Sequence, residues 1–139
     1  MPQGYVMSFD FGLKHIGIAV GQSVTQTARP LTTLSAKNGK PDWQKLDELM
    51  QTYRPAVFVV GLPLNMDGSV SDMSDRATLF AETLAERITA PVYLADERLS
   101  SWAVKKDDSS SGDIHAKSAC LIAETFLTDP NRCAQVGSN

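Results

Sequence analysis

The fold is decided by residues 5–21, whose sequence is YVMSFDFGLKHIGIAVG. This stretch contains two apolar runs joined by a turn with a glycine, and the second run consists of β-branched and small residues. The pattern predicts a β-hairpin at the start of the sheet. Because Asp10 ends the first run, we expect its carboxylate to lie at one end of the first strand.

Asp10 lies in cationic surroundings. It is the only acidic residue before Asp42, and four basic residues occupy the same span: Lys14, Arg29, Lys37 and Lys40. An acid fixed at the end of a core strand among cations is typical of a metal ligand that faces a polyanion. The alternative is a turn acid that accepts hydrogen bonds from nearby backbone amides.

The length and composition indicate one globular domain. The chain has 139 residues, of which 42% are hydrophobic and 21% charged. We expect a single domain over residues 1–127, followed by a flexible tail over residues 128–139. The formal net charge of −3 argues against a protein that coats nucleic acid through bulk charge, although it allows a local basic face.

The cysteines and the apolar runs exclude several classes of protein. The two cysteines, Cys120 and Cys133, form no CxxC pair and so predict neither a disulfide framework nor a zinc-knuckle site. No apolar run approaches the length that crosses a membrane, and the N-terminus lacks the pattern of a secretion signal. We therefore expect a cytoplasmic protein without a membrane partner.

The remaining elements predict an α/β fold in the order β-β-β-α-β-α-β-α, with a five-stranded mixed sheet flanked by helices. Apolar periodicity places strands at 5–10, 16–22, 29–35, 56–60 and 91–95, and helices at 42–53, 74–88 and 114–127. Right-handed crossovers put strand 56–60 beside strand 5–10, and strand 91–95 beyond it. Asp10, the loop after Gly61 and Glu97 then converge at one end of the sheet.

Carboxylates that converge in this way repel each other unless a cation lies between them. Mg²⁺ or Mn²⁺, as one or two ions, suits such an oxygen site and also binds phosphate oxygens. Neighbouring residues on a strand face opposite ways, so only one of Asp96 and Glu97 is expected in the site. The residues alone do not choose between these two acids.

Four motifs together resemble the YqgF family, which comprises RuvX-type proteins described as Holliday-junction-resolvase-like proteins and pre-16S rRNA nucleases. The resemblance covers residues 4–127 and rests on DFGxKxxGxAVG at 10–21, Ala28-Arg29-Pro30, GLPLNMDG at 61–68, and Asp96-Glu97-Arg98-Leu99-Ser100. It implies a ribonuclease H-like fold and metal-dependent cleavage of structured nucleic acid. It also implies that Asp10 and Glu97 are catalytic metal ligands.

The chain departs from the family at the third acid, an aspartate near the start of the last helix. Matching Ser118-Ala119 to the family's small-residue stretch puts His115 at that aspartate's place, with Asp113 two residues earlier. His115 then serves as a catalytic metal ligand, which favours Mn²⁺ over Mg²⁺. Alternatively, Asp113 replaces the aspartate after a small shift of the helix start, or the third ligand is lost and activity is low.

The substrate implied by the resemblance is an rRNA precursor, with ribosomal particles as further partners. Candidates for substrate contacts are Lys14, Arg29, Asn65, Arg76 and Arg98. The absence of a long exposed apolar stripe favours a monomer. A resolvase of branched DNA would instead require a dimer with two active sites.

Two further functions compete with the nuclease. The chain could be a nucleic-acid-binding assembly factor without catalysis, an alternative that His115 keeps open. It could also be a phosphotransferase, because Asp10, Gly12 and Gly17 resemble the first phosphate loop of the actin and sugar-kinase superfamily. Those enzymes close a second, similar domain over the nucleotide, and 139 residues leave no room for it.

Overall fold

The structure, a computed structural model, describes residues 4–63, 67, 69–96 and 114–136. Seven strands form one mixed sheet in the order β4-β3-β2-β1-β5-β6-β7. Two helices pack on one face of the sheet, and a third packs on the other. The predicted α/β architecture is confirmed, but the predicted count of five strands is wrong, because a short strand is added at each edge.

The predicted hairpin forms the centre of the sheet. Strand β1 (Tyr5–Asp10) pairs with β2 (His15–Gln22) in antiparallel register, so that Asp10 lies opposite Gly17. Strand β3 (Thr27–Lys37) continues the meander along β2. It is longer than the predicted 29–35 strand because pairing with β2 extends over its polar ends.

Two parallel strands complete the inner sheet. Strand β5 (Val57–Leu62) pairs with β1, and β6 (Val92–Asp96) pairs with β5. This is the arrangement that the crossover rule predicts. The carboxyl ends of β1, β5 and β6 therefore lie at the same edge, and Asp10 is at this edge.

One face of the sheet carries the large core side chains. Helix α1 (Trp43–Tyr53) begins after its N-cap Asp42, whose carboxylate accepts a hydrogen bond from the Gln44 amide at 3.0 Å. Helix α2 (Asp72–Arg87) begins after Ser71, which forms a capping box with Ser74. Both helices cover a buried cluster that includes Met7, Phe9, Ile16, Ile18, Phe58, Val60, Leu46, Phe80 and Leu84.

Helix α3 (Ile114–Thr128) covers the other face, where β2 offers only small residues and β1 and β5 contribute valines. Gly17, Ala19 and Gly21 alternate along β2 on this face, and Ala19 packs against Ala119 of the helix. A Cβ on Gly17 would overlap the carbonyl group of His115 and lie 2.7 Å from the amide nitrogen of Ala116. The helix backbone therefore rests directly on β2.

The two edge strands were not expected. Strand β4 (Lys40–Pro41) pairs with the end of β3, between the predicted strand at 29–35 and the predicted helix at 42–53. Strand β7 (Cys133–Gln135) pairs with β6 after a 3₁₀ turn, in a segment expected to be a flexible tail. Both pieces are too short to show strand periodicity, and their ladder hydrogen bonds to a neighbouring strand fix them instead.

None of the helices in the described parts of the chain has the length and apolarity needed to cross a membrane.

The contact between Gly17 and α3 predicts a strong mutational effect. Replacing Gly17 by alanine places a methyl group against the backbone of His115 and Ala116. Helix backbone cannot move aside as a side chain can. We expect the free energy of unfolding to fall by about 3 kcal/mol, measured by urea denaturation. Gly21→Ala is the matched control, because its Cβ would meet the movable Leu127 side chain at 3.0 Å and the Thr27 carbonyl at 3.1 Å.

We expect the control variant to lose less than about 1 kcal/mol. Equal losses in the two variants would contradict the close approach of α3 to β2.

Candidate active site at the carboxyl edge of the sheet

Asp10 lies on the face of the sheet that α3 covers. Side chains alternate along β1, and Val6 and Ser8 both point towards α3. Val6 packs in a cluster with Ile122, and the buried Ser8 hydroxyl donates a hydrogen bond to the Ala119 carbonyl at 2.6 Å. Asp10 continues this series and is half-buried at the end of the strand.

His115 reaches the same place from the first turn of α3. Gly17 is the partner of Asp10 across the β1–β2 ladder, and the backbone of His115 lies directly over Gly17. Paired residues in such a ladder have Cα atoms roughly 5 Å apart. Asp10 and His115, 105 positions apart in the sequence, are therefore neighbours at the start of α3.

The structure adds His15, which sequence analysis did not propose. The His15 and His115 rings lie 5.1 Å apart between centroids, with an interplanar angle of 31°. His15 begins β2 on the same face as Gly17. The sequence carries a signal for His15. A glycine within a strand indicates that another backbone approaches that face, and His15 lies on the same face as Gly17 because the two are two residues apart.

Asp96 lies on the other face from Asp10. Val92 and Leu94, which alternate with it along β6, pack in the core that α1 and α2 cover, whereas Ala95 packs with Ile122 of α3. Asp96 therefore does not share the face that carries Asp10. Its neighbour Glu97, the other candidate acid, lies outside the described residues, as do Asp113, Asn65 and Arg98.

Three of the candidate substrate-binding cations, Lys14, Arg29 and Arg76, lie in the described parts of the chain. Lys14 is exposed in the β1–β2 turn, four residues after Asp10. Arg29 pairs with Val20 towards the other end of the sheet, and its guanidinium lies 5.9 Å from the Tyr53 ring. Arg76 is on α2, where it forms an exposed ion pair with Asp72 at 3.0 Å. Arg76 also lines a cleft with Phe11, the residue after Asp10. The substrate-binding roles of all three cations stay predictions.

The donor set at this edge suits a divalent cation. Asp10 supplies carboxylate oxygen and His115 supplies imidazole nitrogen, a mixed set that Mn²⁺ and similar ions accept. Among residues 4–63, 67, 69–96 and 114–136, no group of three or more histidine, cysteine or acidic side chains is close enough to hold a metal ion. The described residues alone therefore do not make up a metal site, and the ligand roles of Asp10 and His115 stay predictions.

Neither cysteine is a nucleophile of this site. Burial, with a smaller effect of the Glu124 carboxylate, raises the pKa of Cys120 from 9.0 to about 12. Burial and then Asp129 raise the pKa of Cys133 from 9.0 to about 11. Both thiols are therefore protonated at neutral pH, and a protonated thiol is a weak nucleophile.

A family model described as "RuvX: Holliday junction resolvase" matches residues 4–129. The chain belongs to the RuvX family. This confirms the predicted family, for which YqgF is the other name, and with it the predicted class of enzyme, a nuclease.

Relatives of the RuvX chain cover almost its whole length. A protein of Pseudomonas paraeruginosa is 42% identical over 139 residues, which cover 94% of this chain and 96% of the relative. A protein of Pseudomonas fluorescens is 49% identical over 133 residues, which cover 89% of this chain and 92% of the relative. Both carry the name "Putative pre-16S rRNA nuclease".

Solved structures confirm the predicted ribonuclease H-like fold of the RuvX chain. RuvC of Thermus thermophilus, in complex with a Holliday junction substrate, has a TM-score of 0.57 at 14% identity. This match covers 95% of the chain described here and 99% of the RuvC chain. A second structure of the same RuvC gives a TM-score of 0.55 at 13% identity. This match covers 94% of the chain described here and 99% of the RuvC chain.

The raised pKa values predict slow alkylation of the RuvX chain's thiols. We expect iodoacetamide to modify the native protein slowly at pH 8, with half-buried Cys133 faster than Cys120. The rate should keep rising with pH beyond 9.0, because the folded thiols ionise only near pH 11 to 12. Mass spectrometry of time points measures this rate, and the urea-unfolded protein is the control. A plateau of the native rate at pH 9 would contradict the raised pKa values.

Proposed function

We propose that this RuvX-family protein is a metal-dependent nuclease that hydrolyses phosphodiester bonds in an rRNA precursor, at the 5′ end of pre-16S rRNA. The observation that carries the proposal is the position of Asp10. Its carboxylate ends a central strand at the carboxyl edge of the sheet, on the α3 face, with His115 beside it. The names of the relatives support the choice of RNA as substrate.

The proposed ligands are Asp10, Glu97 and His115. Asp96 lies on the opposite face of β6, which supports Glu97 as the second acid of the site. His115 lies next to Asp10 across Gly17, which supports it over the other candidate for the third ligand, Asp113. Three carboxylates would supply oxygen donors alone, whereas His115 adds a nitrogen donor. A nitrogen donor favours Mn²⁺ over Mg²⁺.

The chain's own residues have separable roles in this proposal. A divalent cation, when bound, supplies activated water and stabilises the leaving oxygen of the phosphodiester. Asp10 and His115 are held on rigid elements, β1 and α3, so the ion and the scissile phosphate are held in one geometry. Lys14, exposed in the adjacent turn, is placed to contact a phosphate of the same strand.

A second substrate, branched DNA, deserves a test because the matching family is described as a Holliday junction resolvase. Resolution of a junction needs two symmetric cuts and hence two copies of this chain. An rRNA precursor needs only one site. We therefore propose that a monomer acts on RNA.

The first test removes the Asp10 carboxylate. We expect Asp10→Asn to lower the cleavage rate by at least about 100-fold, because the amide lacks the charge that binds the cation. The dissociation constant for the nucleic acid should stay unchanged. Labelled rRNA-precursor fragment and four-way DNA junction are compared with Mg²⁺, with Mn²⁺ and with chelator.

Metal-dependent cutting of the RNA alone would support the proposal, and cutting of the junction alone would support the resolvase. Cleavage that persists in Asp10→Asn would rule out the proposed metal site. Binding without cleavage under every metal would identify an assembly factor.

The second test separates the two neighbouring acids. We expect Glu97→Gln to abolish cleavage as Asp10→Asn does, because it removes a proposed ligand charge. Asp96→Asn, the matched control on the other face of β6, should keep the rate within about threefold of the unmodified protein. The same RNA cleavage assay measures both variants, and a reversed order of effects would show that Asp96 is the ligand.

A further inference from the structure

The two histidines of the chain form a pair, and the proposed nuclease site uses only one of them, His115. His15 and His115 are the only histidines in the sequence, and they lie 100 positions apart. Their ring centroids are 5.1 Å apart, and both side chains are exposed. Within the described residues, neither imidazole forms a hydrogen bond or an ion pair, so the ring nitrogens are available to a ligand.

The pair is held by regular structure on both sides. His15 begins β2, and His115 lies in the first turn of α3. Gly17, two residues after His15, lets the His115 backbone rest on the strand. Because the strand and the helix fix both Cα positions, ligand binding needs only side-chain adjustments.

We propose that His15 and His115 together bind one divalent transition-metal ion of the zinc, nickel and copper class. A zinc–nitrogen bond is about 2.0–2.1 Å long, which puts each imidazole centre roughly 3.2 Å from a shared ion. At that radius, a centroid separation of 5.1 Å corresponds to an angle of about 105° at the ion, close to the tetrahedral value. The ring spacing therefore fits an ion shared by both imidazoles.

The donor chemistry sets the class of ion. Imidazole nitrogen suits zinc, nickel and copper, whereas Mg²⁺ prefers oxygen and gives up its water reluctantly. Two protein ligands leave the other positions to water. The site depends on His15, which is not among the proposed nuclease ligands, and it does not require Asp10 or Glu97.

Zinc binding is measured by imidazole ¹H–¹⁵N correlation spectra of ¹⁵N-labelled protein. The chain contains two histidines, so the spectra contain two ring systems. We expect the nitrogens of both rings to shift together and to saturate at one Zn²⁺ per chain. Excess Mg²⁺ should leave both rings unmoved. A shift of one ring alone, or displacement of zinc by Mg²⁺, would overturn the proposal.

Two variants identify the ligands. His15→Phe keeps an aromatic ring against His115 but removes the nitrogens, so zinc affinity measured by calorimetry should fall at least about tenfold. Glu82→Gln, the control, removes an exposed carboxylate on α2 at the other face of the sheet and should leave the affinity unchanged. Unchanged affinity in His15→Phe would show that His15 only packs on His115, and loss in Asp10→Asn would assign the ion to the nuclease site. Because these experiments measure zinc rather than cleavage, they test the pair whether or not the chain cleaves RNA.

Discussion

The close packing of α3 on β2 is the constraint on which the candidate site depends. Gly17 has no side chain, so the backbone at His115 lies directly over the strand. Asp10 is the ladder partner of Gly17. One missing methyl group thus brings together an acid from the first strand and the histidines from β2 and the last helix. A larger side chain at position 17 would push the start of the helix away from the carboxyl edge and separate these groups.

The two faces of the sheet have different compositions for this reason. On the α1 and α2 face, Phe9 stacks on Phe58 and meets Phe80 edge to face, and these large side chains exclude water. Burial of this apolar area supplies most of the stabilisation. On the α3 face, the small residues along β2 let the backbone of α3 approach the strand closely. The Ser8 hydroxyl also donates a buried hydrogen bond to the Ala119 carbonyl. The site therefore lies on the face where backbone, rather than large side chains, forms the contact.

Sequence periodicity could predict those parts of the fold that bury a regular apolar pattern. The β1–β2 hairpin, the α1 face and the parallel run 57–62 follow from alternation, helical spacing and a continuous apolar stretch. Lys40–Pro41 and Cys133–Gln135 could not be predicted, because two or three residues are too few to show a period and owe their structure to a partner strand. Flexible tails and short edge strands have the same composition, and only the neighbouring strand distinguishes them.

The candidate site shows the same division between local and long-range information. The position of Asp10 at the end of a strand could be predicted because it follows from the local apolar pattern, whereas its role as a ligand stays a prediction. His115 required the family resemblance, since a lone histidine near a helix start has many roles. His15 was missed because its meaning depends on a residue 100 positions away.

The roles of Arg29 and Arg76 stay predictions, and the two residues lie in different places relative to Asp10. Arg29 follows the strand to the other end of the sheet, and Arg76 follows α2 to the other face. Lys14 lies in the turn that follows Asp10 and therefore stays beside it. Proximity along the chain predicts proximity in the site only within one turn.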